Sequence, residues 1–125
     1  MGERGSSTVE FTLVSVLLVG LFLSVLQLGF VLHTRNVLVA SAQEGARYGA
    51  NADRGVADAK ARTREVVAAA LSPDVAGRMS YEAQQVVRGG VATVEVTVRG
   101  ALPLVFLPAG PLSLSVRGHA LEESR

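Results

Sequence analysis

The chain has no cysteine and no tryptophan. A disulfide framework and a thiolate metal site are therefore excluded, while the compartment stays open. Histidine is scarce: His33 and His119 are the two present. No Ser, Asp or Glu arrangement around either suggests a catalytic triad or a metal centre. No catalytic, metal-binding or cofactor-binding residue is assigned, and the chain is expected to be neither an enzyme nor a binder of a small-molecule substrate. A surplus of one charge is also missing, since twelve Lys and Arg face eleven Asp and Glu. That balance does not suit nucleic acid as a partner, which calls for a basic surface. No phosphate-cradling glycine loop precedes a helix: Gly89-Gly90 separates strands and Gly100 follows one.

Charge is absent altogether from Phe11 to Leu32, FTLVSVLLVGLFLSVLQLGFVL, a run of 22 residues. As a helix it spans roughly 33 Å, against a hydrocarbon core of about 30 Å. Thr12, Ser15, Ser24 and Gln27 are polar but uncharged, and suit bonding to the helix backbone or to a neighbouring helix. A buried soluble helix would show a polar face. A cleaved secretory signal would have an apolar region of about 7–15 residues, and Ala40-Ser41-Ala42, which imitates a signal-peptidase site, lies too far beyond the run. A single membrane crossing is the reading that remains. Basic residues give no orientation, because Arg4 on one side is matched by His33 and Arg35 on the other. Length favours a cytoplasmic N-terminus, with the bulk of the chain exported.

Glu10 stands at the mouth of this run, five residues after Gly5. A carboxylate there suits a helix N-terminus, with Ser6 or Ser7 as the cap. The fuller pattern is Arg4-Gly5-Ser6-Ser7-Thr8-Val9-Glu10-Phe11 before the apolar helix, and Glu44-Gly45-Ala46-Arg47 after it. It resembles the class III signal of type IV pilins and, more closely, the TadE-like pseudopilins of the tight-adherence (Tad, or Flp) pilus system. The likeness is dense from Gly5 to Ala50 and loose beyond. It implies cutting between Gly5 and Ser6 by a prepilin peptidase, which needs a small residue before the cut. Glu10 then becomes the fifth residue of the mature chain and sets packing and register between subunits. The implied partners are the membrane, the prepilin peptidase, other pilin or pseudopilin subunits and the Tad assembly platform.

The helical pattern continues past Leu32. Leu38, Ala42, Gly45 and Gly49 form a small-residue stripe that allows close approach of another backbone. Glu44 and Arg47 are spaced to pair with each other. Glu44, Gly45, Arg47 and Gly49 therefore read either as a contact with a partner subunit or, more plainly, as packing against the chain's own domain. Residues 51–55 break the helix, with Asn51 or Asp53 expected to cap the next one. One acid in that turn is too few ligands for calcium.

A second amphipathic helix is expected from Gly55 to Leu71. It places Val56, Ala59, Thr63, Val66, Val67 and Ala70 on one face, and Ser72-Pro73 ends it. Lys60, Arg62 and Arg64 read as a solvated face. From Arg78 the period becomes two. Met79, Tyr81, Ala83, Gln85 and Val87 alternate with polar neighbours, Arg88-Gly89-Gly90 signals a hairpin, and Ala92, Val94, Val96 and Val98 mark the clearest strand. Leu112, Leu114 and Val116 mark a third. Between them, Ala101 to Pro108 is apolar and bracketed by prolines that resist a central strand. It reads either as a cover for the sheet edge or as an exposed contact patch.

The expected architecture is α+β and pilin-like, with a long N-terminal helix that is transmembrane in its first half, a second short helix and a small three-stranded antiparallel sheet. Residues 1–5 are read as a leader, 6–50 as the helix with its membrane segment at 11–32, and 51–125 as an extracytoplasmic domain. The function expected is that of a structural minor pilin or pseudopilin, held in the plasma membrane and present outside the cell in an assembled pilus. The alternative is a permanently anchored single-pass protein, acting as a scaffold or binding component of a secretion complex.

Overall fold

The computed structural model describes residues 3–103 and 111–122. Six elements follow in order: α1 (Glu3–Gly49), α2 (Val56–Ala70), α3 (Pro73–Arg78), β1 (Ser80–Arg88), β2 (Val91–Pro103) and β3 (Pro111–Leu121). The architecture is α+β, with a long apolar N-terminal helix, two short helices and a three-stranded antiparallel sheet in the order β1-β2-β3.

At 47 residues, α1 is about 70 Å long. Hydroxyls along its first half fold back onto the preceding turn. Thr8 Oγ1 donates to the Arg4 carbonyl at 2.9 Å, Thr12 Oγ1 to Thr8 at 2.9 Å and Ser24 Oγ to Gly20 at 2.8 Å. Each side-chain donor is thereby satisfied without leaving the helix. Ser6 and Ser7 lie inside α1 rather than capping it, because the helix already begins at Glu3.

The cap of α2 is likewise not Asn51 or Asp53 but Gly55, whose N–H donates to Asp58 Oδ2 at 2.9 Å. The carboxylate reaches back from the first turn, where the helix dipole favours a negative charge. At 6 residues, α3 is too short to show a helical period in the sequence. Ser72 Oγ accepts from the Val75 N–H at 3.1 Å and Pro73 occupies the first turn, so the dipeptide that stops α2 also starts α3.

Gly89 and Gly90 take φ values of 58° and 81°, the left-handed pair that a two-residue hairpin requires, and they join β1 to β2 with Arg88 opposite Val91. On the inner face the rows are Tyr81–Val98–Val116, Ala83–Val96–Gly118 and Gln85–Val94–Ala120. Val94, Val96 and Val98 are fully buried there, with Leu38, Ala42 and Ala46 of α1 and Ala59 and Val67 of α2 in the same core. Thr93, Glu95 and Thr97, on the outer face of β2, are buried as well. Strands flank β2 on both sides, and side chains of β1 reach over it. Arg88 pairs with Glu95, and Gln84 Nε2 donates to Glu95 Oε1 at 3.4 Å.

Two boundaries differ from the sequence pattern. Ala101, Leu102 and Pro103 are the end of β2, with Leu102 buried and Ala101 exposed, so the apolar segment is partly strand. The rest of that segment, 104–108, lies outside the described residues. β3 continues past Val116 through Gly118 and Ala120 to Leu121, because small residues on its inner face let α1 lie close.

Candidate functional site: the N-terminal helix

The first half of α1 leaves the domain. Phe11 is 74% exposed and Leu17 72%, and Val14, Leu18, Leu21, Phe22 and Val25 are exposed on the helix's other sides. The second half is the spine of the domain, where Thr34 is 2% exposed and Leu38 fully buried. Apolar surface exposed all round a helix is not a stable arrangement in water and requires lipid or other protein. One such helix of this length and composition fits a single-pass membrane protein.

Gly5, Ser6 and Glu10 all lie on the exposed N-terminal end of α1. A Cβ on Gly5 would meet nothing within 4 Å. Glu10 makes no ion pair among the described residues. Neither α2, α3 nor the sheet approaches this end of the helix.

Gly45 and Gly49 lie instead at the α1–α2 contact. A Cβ on Gly45 would stand 2.8 Å from the Ala59 carbonyl oxygen, and one on Gly49 3.0 Å from the Gly55 carbonyl oxygen. Gly45 and Gly49 thus seat α2, while Ala42 of the same stripe lies against Gly118 of β3. Glu44 does not pair with Arg47. It reaches Arg62 of α2 at 3.6 Å, and Arg62 also bonds Glu65 at 2.9 Å. A partner on a second helix competes with the one on its own because the glycines bring α2 so near. Arg47 is exposed and has no ion pair among the described residues.

Tyr48, which no spacing in the sequence marks, organises this end. The Arg54 guanidinium lies 3.9 Å above its ring, that of Arg62 lies 5.6 Å away, and Arg54 Nη1 donates to its hydroxyl. The only signal in the sequence is one aromatic residue beside the helix break, with arginines on either side of α2's start. On the opposite side of α2, burial raises the Tyr81 phenol above its ordinary value and the Arg64 charge partly opposes this; the hydroxyl donates to the Ala76 carbonyl at 2.8 Å.

Among the described residues, no group of three or more His, Asp or Glu side chains is placed to hold a metal ion. His33 lines a cleft of about 270 Å³ between α1, the α2–α3 turn and the end of β2. The His119 backbone N–H donates to Gln43 Oε1 of α1 at 3.4 Å, which ties the edge strand β3 to the helix.

No curated protein and no solved structure matches the chain. The family described as TadE-like protein matches residues 5–47, a stretch that runs from the glycine before Ser6, through the whole apolar segment, to the arginine of the Glu44–Arg47 element. The match takes in the membrane-suited helix and stops before α2. Residues 5–47 are the TadE-like part of this chain, and the whole is consistent with a TadE-like, pilin-type protein.

Proposed function

We propose that this protein is a minor pilin or pseudopilin of a Tad-type pilus. In this reading it is held in the plasma membrane by α1, cut between Gly5 and Ser6 by a prepilin peptidase, and then drawn into a filament or used to prime one. The observation that carries the reading is the exposed first half of α1: apolar on all sides, untouched by its own domain, and headed by Gly5, Ser6 and Glu10. A helix of this kind is satisfied by lipid while stored and by other helices once assembled. Glu10 supplies the register. A carboxylate entering hydrocarbon is costly unless paired, and cutting after Gly5 creates an amine at Ser6 that a neighbouring subunit can offer it. Within the chain, α2 lies against Gly45 and Gly49, which supports packing against the protein's own domain as their role.

The test is the N-terminus of the mature protein together with the sheared extracellular fraction. A chain that begins at Ser6 and is present in sheared filaments supports the pilin. A chain that keeps Gly5 and remains wholly in the membrane supports the permanently anchored scaffold instead.

A further inference from the structure

The sheet and α1 descend side by side. Gly118, in the row Val96–Gly118, lies against Ala42. Six residues along β2, Leu102 lines the cleft that Phe30, His33 and Thr34 also line, and Leu112 is its partner on β3. Six strand residues cover about 20 Å, and the twelve helix residues from Ala42 to Phe30 cover about 18 Å. The tip of the sheet therefore reaches the level of Phe30. The uncharged run of α1 extends to Leu32, so the domain overlaps the apolar segment instead of stopping short of it. Leu71, from the α2–α3 turn, and Val75, in α3, line the same cleft.

A belt of arginines lies just above this tip. Arg35 is five helix residues past Phe30, about 7.5 Å along the axis. Arg99 is three strand residues before Leu102, about 10 Å. The Arg78 carbonyl oxygen lies 3.4 Å from where a Cβ on Gly100 would be, at the same height. All three side chains are exposed and none has an ion pair among the described residues, while Asp74 and Glu82, two residues along β1 from the partner of Arg99, are acidic side chains near them. Apolar groups at one depth, with guanidinium groups about 7–10 Å beyond, match the acyl boundary and phosphate layer of a lipid leaflet.

We propose that the sheet-tip end of the domain is seated in the lipid interface of the membrane that α1 crosses. Leu112, with Leu71 and Val75, sits at the acyl boundary, and the buried Leu102 backs Leu112 from the neighbouring strand. Arg35, Arg78 and Arg99 bond lipid phosphates, which guanidinium groups bind as charged hydrogen-bond donors. The inference rests on α1 spanning the membrane, and its test separates the two claims.

The absence of cysteine allows single labels in the full chain. Leu112→Cys reports the tip, Phe22→Cys the apolar helix, and Val87→Cys the far end of the sheet, about 30 Å away. Each variant is reconstituted in vesicles of zwitterionic and anionic phospholipid, then labelled with a fluorophore that brominated lipids quench. Quenching is expected at Phe22→Cys and Leu112→Cys but not at Val87→Cys. A water-soluble maleimide is expected to modify Leu112→Cys at least about tenfold more slowly than Val87→Cys, as burial in the interface implies. Ser113→Cys, exposed on the next strand residue, gives the same reading if Leu112→Cys disturbs the sheet. Replacing both Arg78 and Arg99 with Gln is expected to weaken quenching at the tip and its rise with anionic lipid. An unquenched Phe22→Cys overturns the spanning helix itself. A quenched Phe22→Cys, with both tip positions as reactive as Val87→Cys, overturns the seating alone.

Discussion

Gly118 of β3 lies directly against the backbone of Ala42 of α1: a Cβ on Gly118 would stand 2.7 Å from the Ala42 carbonyl oxygen and closer still to its carbonyl carbon. The neighbour is helix backbone, which cannot swing aside. Gly118→Ala is therefore expected to push the sheet off α1 and destabilise the domain by about 1–3 kcal/mol. Urea unfolding of the detergent-solubilised chain reads this directly, and an unchanged midpoint would show that the two elements have room to spare.

The two glycine populations of α1 should respond oppositely. Gly45→Ala places a methyl group against Ala59 and Thr63, whereas a Cβ on Gly20 meets nothing within 4 Å. The first change is expected to lower domain stability by about 1–3 kcal/mol. Gly20→Ala is expected to leave it unaltered or to firm the helix by up to about 1 kcal/mol. Adding Thr63→Ala should recover part of the Gly45→Ala loss.

Glu10 is expected to matter only after processing. Glu10→Ala should leave cutting after Gly5 intact, while Gly5→Leu should abolish it, as seen in the mature mass. An amine–carboxylate pair contributes about 1.5–3 kcal/mol, so Glu10→Ala should reduce the sheared filament fraction roughly tenfold or more. Normal assembly by this variant would remove Glu10 from the register.

The Glu95 side chain is 7% exposed and its partner Arg88 55%. Arg88→Ala leaves a buried carboxylate with Gln84 as its remaining side-chain partner, and should destabilise by about 1–3 kcal/mol. Glu95→Gln in that background is expected to restore part of the loss, which a double-mutant cycle measures.

Alkaline pH should act through Tyr81. Its phenol ionises at a higher pH in the folded chain than in the unfolded one. The stabilisation is complete below the ordinary phenol value of about 10 and is lost as pH rises through the folded value. Tyr81→Phe should flatten this alkaline decline relative to the unmodified chain. It should also cost about 1 kcal/mol at neutral pH through the lost bond to Ala76, both visible in unfolding midpoints across pH.

Residues whose role is written in periodicity were legible in advance. The uncharged run, the α2 face of Ala59, Thr63 and Val67, and the alternation of Val94, Val96 and Val98 each follow from one local pattern. Contacts between distant segments were not. Gly118 looks like an ordinary strand glycine until α1 is placed over it, and the Glu44–Arg62 pair exists only because Gly45 and Gly49 let α2 approach. The burial of Glu95 depends on β2 being central, which alternation alone does not reveal. Gly5, Ser6 and Glu10 were found through resemblance, and the fold adds only that they stand clear of the domain.

One consequence follows from α1 being unbroken from Glu3 to Gly49. The segment suited to the bilayer and the beam beneath the sheet are one rod, with no swivel between Leu26 and Thr34. Torque or tension applied at the N-terminus has an unbroken helix to carry it to Ala42, against which Gly118 and the sheet lie. Such a chain moves as a rigid piston, and the azimuth of its domain is fixed by the azimuth of its helix.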